Sequence, residues 1–532
     1  MRLIAGFLLV LTLTLAAPAI AQDFETLVAQ LPDGEFEDTS RLVDQIAATG
    51  HPRAATVLEA LSGGFLAAMR EDGRMVILRG EGRTKTAYDA FTDEEIGEVG
   101  RRDTAAIGVN NGLRRDIAAA VGRMGLQNPD PTIRRAAALA AFDARNPSRI
   151  EALEAALAVE QVPEIAEIFA MARAAAILEF EDAGIDDRLA AVSIIGEMGG
   201  QDAIEVLRPL QDDPDIGAEV TREVERIQTV LAAWNAVQNI WFGISLGSVL
   251  LLAAIGLAIT FGVMGVINMA HGELVMIGAY TTFVVQDIIR NSFPDLFDWS
   301  LLIAAPLAFC VAGLVGIAIE RGIVRFLYGR PLETLLATWG VSLMLQQAVR
   351  TIFGPNNREV GNPSWMSGST MIGEMSLTWN RIWIVGFSLV VFAGLLLLLR
   401  RTALGLQMRA VTQNRAMAAE MGIRTAWVDA MTFGLGAGIA GLAGVALSQI
   451  TNVSPNVGQS YIVDSFMVVV FGGAGNLWGT LAGAFTLGIL NKFLEPWAGA
   501  VLAKILILVG IILFIQKRPR GLFALTGRAV ED

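Results

Sequence analysis

The sequence predicts an all-α fold: a polytopic bundle of membrane helices preceded by a helical domain with a small β insertion. Three observations lead there. The 532-residue chain is 53% hydrophobic and only 17% charged, against roughly 25% charged in ordinary globular proteins. Its charge is segregated: residues 22–237 hold 21 Lys and Arg against 39 Asp and Glu, whereas residues 238–532 hold 18 against 14. Uncharged runs of membrane-spanning length recur in the second part, starting with Ile227–Gly272. These features exclude a disordered chain, a collagen and a nucleic-acid binder carried by a basic face. The single cysteine, Cys310, excludes an internal disulfide framework and a Cys-cluster metal site.

In chain order, residues 1–21 read as a signal peptide. Arg2 supplies a positive n-region, Leu3–Ala17 an apolar stretch and Ala19-Ile20-Ala21 a small-x-small cleavage pattern. Residues 22–235 then form a periplasmic helical domain. Thr39–Leu61 and Arg188–Leu210 match at an offset of 149, each an apolar-periodic helix, a Gly break and a second helix. Asn128–Phe142 opens with a turn and a Pro near a helix start. These features resemble HEAT-type repeats, in which helix pairs stack as a solenoid. Glu71-Asp-Gly-Arg74 before Met75–Leu78 predicts a hairpin turn leading into a strand. His51 stands at a helix–helix turn and reads as a solvated turn residue.

Residues 236–525 form the membrane domain, with 526–532 as a cytoplasmic tail. Uncharged stretches Trp299–Ile319, Thr334–Val349, Ile382–Leu399, Ala430–Val463, Ser465–Asn491 and Ile505–Gln516 mark its spans. Basic residues gather at Arg321, Arg325 and Arg330, at Arg400 to Arg424, and at Lys517, Arg518 and Arg520; all three segments should face the cytoplasm. An outside N-terminus and an inside C-terminus require an odd number of crossings, seven or nine, with broken or re-entrant helices among them. Gly434/Gly438 and Gly475/Gly479/Gly483 have the i, i+4 spacing that lets helix backbones approach closely in lipid.

Three constellations and one absence bear on function. Gly262–Tyr280 sets His271 and Glu273 among glycines between apolar runs. Ionisable groups at membrane depth are expensive and usually functional, although a turn at the membrane edge would also hold them. Leu404–Ile423 reads as a basic amphipathic helix closed by Gly422, suited to the membrane surface or to a groove on a partner. Gly472, Gly473 and Gly475 suggest a helix break, either lining a cavity or forming a plain loop. None of Lys85, Lys492, Lys504 and Lys517 follows a glycine, so there is no G-x-x-x-x-G-K-[ST] phosphate loop and no ATPase of the chain's own. No metal or cofactor site is read.

Phe261–Leu274, Arg409–Ile423 and Val470–Gly479 together resemble the permease subunits of ABC importers for branched-chain amino acids and short amides. The signal segment and the helical extension are similar to the urea-type subunit of that family. The resemblance implies a second permease subunit, two cytoplasmic ATPases and a periplasmic substrate-binding protein, in a bacterial inner membrane. It makes Arg409, Ala410, Asn414, Ala418, Gly422 and Ile423 the helix that couples to an ATPase. Asn268, His271, Glu273, Thr338, Gln346, Gly472, Gly473 and Gly475 are the candidates for the translocation path or its gate, with Ser342 and Gln347 as further polar groups in apolar stretches. The expected substrate is urea or a short amide, with a branched-chain amino acid as the alternative. A passive channel would need no basic docking helix, and a membrane-anchored scaffold would need one span.

Overall fold

The computed structural model describes residues 24–32, 36–80, 84–100, 102–180 and 182–523. The expected signal peptide 1–21 and tail 526–532 lie outside them. The chain divides into two compact units, one ending at Thr229 and one beginning at Val230.

In the first unit, α1 (24–29), α2 (Phe36–Ala48) and α3 (Ala54–Ser62) precede a sheet, and α4 (Asn111–Leu126), α5 (Pro131–Ala144), α6 (Ile150–Val159), α7 (Pro163–Leu178), α8 (Ile185–Met198) and α9 (Gly200–Leu207) follow it. Local chemistry sets the helix ends. The Asn110 and Asp130 side chains accept the Leu113 and Thr132 amides, and Pro131 opens α5 with its preset φ. The two segments matched at an offset of 149 are both helix–turn–helix: α2/α3 turn at Gly50 and α8/α9 at Gly199, each with positive φ. The turn expected at Glu71–Arg74 joins β1 (Leu66–Met69) to β2 (Met75–Arg79). With β3 (Thr84–Asp89), β4 (Glu95–Gly100) and β5 (Thr104–Ala106) they form an antiparallel sheet in the order β4-β3-β2-β1-β5. Leu66, Ala68, Met75 and Ile77 pack into the core with α2–α4, while Ala67, Val76, Ala87 and Val99 form a smaller cluster, as strand alternation requires. Arginines tie the later helices together. Arg134 of α5 makes two bonds, 2.6 and 2.9 Å, to Glu160 beyond α6, and Arg188 of α8 reaches Asp213 at 2.5 Å.

The second unit takes in α10 (Gly217–Met264) from Val230 onward. It continues through α11 (His271–Ser292), α12 (Ser300–Gly322), α13 (Pro331–Phe353), a β6–β7 hairpin (Ser369–Ile372 and Met375–Thr378), α14 (Trp379–Arg401), α15 (Ala403–Gln413), α16 (Arg415–Glu420), α17 (Thr425–Ser448), α18 (Val457–Gly472) and α19 (Leu477–Lys517). Among the described residues six helices are long and apolar enough to cross a membrane: α10, α11, α12 with its flanking turns, α14, α17 and α19. α18 is apolar but shorter. α17 is the hub, packed on both α11 and α12. Glycine makes this possible where backbones touch: a Cβ on Gly436 would lie 2.6 Å from the Gly256 carbonyl of α10, and one on Gly278 of α11 would strike the Gly441 backbone of α17.

The 41-residue α19 is not one rod. Pro496 and Gly499, the latter at φ 74°, break it. Its two ends meet the same backbone. A Cβ on Gly472 would collide with Gly479 near the start of α19. Just beyond its end, the Leu522 amide donates to Phe471 O at 2.9 Å and the Phe523 amide to Gly472 O at 3.2 Å. A straight helix of that length would hold its ends about 60 Å apart, so α19 is a helical hairpin.

Candidate functional site

The centre of the second unit is a broken connection. α10 ends at Met264, residues 265–270 are irregular, and α11 starts at His271. The His271 Nε2 donates to the Ala253 carbonyl at 2.9 Å. Ala253 lies eleven residues before the end of α10, about 16 Å back along its axis. The connection therefore folds back into the bundle, and α11 begins at depth rather than at a rim. His271 and Glu273 are each 1% exposed, so both side chains are buried inside the bundle. Glu273 lies in the first turn of α11, where a helix N-terminus favours negative charge.

α13 supplies the facing wall. Thr338, Ser342 and Gln346 recur every four residues and so share one helix face, and all three are buried. Ser342 Oγ donates to Glu273 Oε1 at 3.0 Å. Thr338 Oγ1 accepts the Met269 amide at 3.1 Å and holds the irregular segment. The Asn268 side chain accepts the Ala270 amide at 3.0 Å. Around these bonds several buried atoms have no partner among the described residues: Asn268 Nδ2, His271 Nδ1, Glu273 Oε2, Tyr280 Oη and Gln346 Nε2. An unpaired buried polar group costs about 1–3 kcal/mol. These five groups, on residues 265–270, α11 and α13, make this a polar region of the bundle with unused donors and acceptors. Gly458 of α18 makes room there, since a Cβ on it would lie 2.9 Å from Glu273 Oε2.

The structure thus brings Asn268, His271, Glu273, Thr338 and Gln346 to one region, together with Ser342, whereas Gln347 lies beside Gln346 on the exposed side of α13. Gly472, Gly473 and Gly475 are elsewhere. They pack onto the backbones of Gly479, Gly521 and Gly262, so this break is a close-packed junction rather than part of the polar locus. Tyr280 and Gly458 were not picked out by sequence reasoning. Tyr280 follows Glu273 by seven residues, a heptad spacing that signals a shared helix face.

The basic segment after α14 departs from the single helix expected. It forms two helices, α15 and α16, broken at Asn414, whose side chain caps α16 by accepting the Met417 amide at 2.9 Å. Gly422, at φ 86°, ends the segment before α17. Ala418 is buried with Met408 and Val411 against the bundle, so it anchors the segment and does not form its outer face. Arg409, Asn414, Met417, Glu420 and Met421 are exposed instead, Ala410 and Ile423 partly so. Arg415 anchors α16: its guanidinium pairs with Asp429, which is fully buried in α17, and lies 4.9 Å from the centre of the Tyr328 ring. The Tyr328 hydroxyl donates to Glu320 of α12 at 3.0 Å. Sequence reasoning missed this chain of contacts. Asp429 at the edge of a long uncharged run was the available signal.

A family model described as branched-chain amino acid transport system, permease component, matches residues 239–515. The high-affinity branched-chain amino acid transport permease protein BraD of Pseudomonas aeruginosa is 30% identical over 296 residues, covering 54% of this chain and 96% of that protein. LivH of Escherichia coli K12, with the same description, is 32% identical over 297 residues, covering 54% and 94%. The ribose import permease protein RbsC of the same strain is 25% identical over 280 residues, covering 51% and 81%. No solved structure matches.

Proposed function

The chain belongs to the branched-chain amino acid transport permease family, and from that premise we propose that it is a permease subunit of an ATP-driven importer in a bacterial inner membrane. Residues 236–525 form one half of the translocation path, completed by a second permease subunit. The acidic domain 22–235 lies in the periplasm, on the side from which a substrate-binding protein delivers, and the tail 526–532 lies in the cytoplasm. Two cytoplasmic ATPases supply the energy. The exposed side of α15–α16, with Arg409, Asn414, Met417 and Met421, is the surface that one of them engages. Arg415 passes its movement to α17 through Asp429 and to α12 through Tyr328 and Glu320.

The observation that supports a path through the α10–α11 break is the group of unpaired buried atoms around Glu273. These combine acceptors, Glu273 Oε2 and His271 Nδ1, with donors, Asn268 Nδ2 and Gln346 Nε2, at the start of a helix that begins inside the bundle. Such half-helix N-termini suit the carboxylate of an amino acid, and a carboxylate oxygen suits its ammonium. This favours a branched-chain amino acid over urea, a neutral molecule that needs no charged partner. The urea reading rests on the N-terminal extension, which has no counterpart of comparable length in BraD and LivH, matched over 96% and 94% of their own length by the membrane part. Uptake of labelled leucine and labelled urea, in cells with and without this chain, tests the assignment. Leucine uptake should depend on the chain. Uptake of urea alone would reverse the substrate, and dependence of neither would remove the importer reading.

A further inference from the structure

We propose that the second unit carries a built site for one phospholipid with an amine headgroup, at the end of the bundle where α14 begins and α17 ends. An apolar cavity of about 450 Å³ opens there between α12, α14 and α17. A second cavity, of about 410 Å³ and mainly polar, adjoins it. Gln449 lines both.

Three walls change polarity at the same level. Along α14 the apolar cavity is lined by Val390, Phe387 and Trp383, and the polar one by Asn380. At the end of α17 and in the turn after it, the lining runs from Val445 through Gln449 to Asn452. On the loop before β6 it runs from Met366 to Asn362 and Glu359. From Val390 to Asn380 the α14 lining spans ten residues, about 15 Å of helix. All three helices are of membrane-crossing length, and Val390 is 70% and Leu302 66% exposed on their outer flank, so the apolar mouth faces hydrocarbon. Trp365 and Trp383 pack edge to face at 5.0 Å beside it, and such aromatic side chains favour the level of lipid headgroups.

Two features select the headgroup. Gln449 is only 4% exposed. Its Nε2 donates to Ser448 Oγ at 3.1 Å, yet its Oε1 has no partner among the described residues and awaits a donor. Glu359 is the one charged side chain lining the polar cavity, and it is an anion. An ammonium supplies both a donor and the opposite charge, whereas a phosphatidylglycerol headgroup brings net negative charge to a carboxylate. This site is separate from the polar locus at Glu273, and it requires only that the second unit lie in a bilayer.

The test uses the full chain in native membranes with two photoactivatable probes, phosphatidylethanolamine and phosphatidylglycerol, each carrying a diazirine in one acyl chain. The phosphatidylethanolamine probe should label Trp383–Val390 more strongly than its partner. Gly386 lines the apolar cavity and a Cβ on it meets nothing within 4 Å, so Gly386→Trp should place its ring in the cavity and abolish that labelling. Glu359→Gln, on the exposed loop, should make the two probes label equally and provides a second variant if the first misfolds. Equal labelling of the wild type by both probes, or labelling unchanged in Gly386→Trp, would overturn the proposal. So would a photo-crosslinker at Phe387 that captures a second permease subunit instead of lipid, since the cavity would then be a protein interface.

Discussion

At the scale of single residues, the buried polar side chains separate structural from functional roles. Glu273→Gln keeps the size of the side chain and an acceptor for Ser342 but removes the charge. If Glu273 Oε2 meets substrate, the loss of a charge-assisted contact, about 1.5–3 kcal/mol, should lower uptake roughly ten- to hundredfold. His271→Ala should cause a smaller fall, because one ring nitrogen already serves the Ala253 carbonyl. Initial uptake rate normalised to membrane protein checks both; wild-type rates would return the pair to a purely structural role. The segment α15–α16 gives a sharper contrast. Ala418→Asp buries a carboxylate among Met408 and Val411 and should deplete the protein from the membrane, since an unpaired buried charge costs several kcal/mol. Met421→Asp, on a side chain 78% exposed, should leave protein abundance unchanged while lowering uptake and ATPase co-purification. Full uptake by Met421→Asp would remove the docking surface. Sequence alone identified the segment and its Gly422 end. It could not tell Ala418 from Met417, because adjacent residues on a short helix differ only in which side the bundle covers.

At the scale of elements, close helix crossings depend on glycine, and the sequence signalled this in part: Gly475/Gly479/Gly483 lie at backbone contacts, whereas Gly434 and Gly438 make room for the Ile317 and Phe309 side chains of α12. Gly278→Leu, which forces a side chain into the α17 backbone, should cost more than the about 1–3 kcal/mol of ordinary overpacking. Its effect should appear as lost membrane protein and raised protease sensitivity. Gly340→Leu, where a Cβ meets nothing within 4 Å, is the matched control and should be tolerated. Less legible were the breaks. The stop at Asn414 depends on a polar side chain capping the next helix, and the chain offers many such residues. The folding back of residues 265–270 is set by partners far along the chain, Thr338 and Ala253, which periodicity does not reveal. The two arms of α19 were legible as the separate uncharged stretches Ser465–Asn491 and Ile505–Gln516, but the turn at Pro496 and Gly499 that folds them into a hairpin was not.

At the scale of the whole molecule, composition divided the chain into an acidic part and an apolar part before any element was known, and the two compact units meet within a few residues of that division. The acidic unit should be sensitive to acid. Arg134, bonded to Glu160, holds its carboxyl down to about 2, against an ordinary 4.5. Asp213 is likewise held below its usual range by Arg188. A carboxyl whose folded value is depressed adds stability above its ordinary value and loses it as the pH falls toward the depressed one. Helicity and protease resistance of this unit should therefore decline between about pH 4.5 and 2, and Arg134→Ala should lower stability above that window and flatten the decline within it. Protease added outside spheroplasts should remove the same unit if it is periplasmic; digestion only after lysis would invert the orientation. The hairpin of α19 has a consequence for synthesis. Both of its arms end on the Phe471–Gly473 backbone, so this part of the bundle cannot close until Phe523 has been synthesised. The tip between the arms carries Lys492 and Glu495, bonded to each other at 2.6 Å, so their charges offset each other there. A chain truncated at Lys517 should insert its earlier helices yet lack the Leu522 and Phe523 clasp, leaving the last arm unlatched and open to quality-control proteolysis.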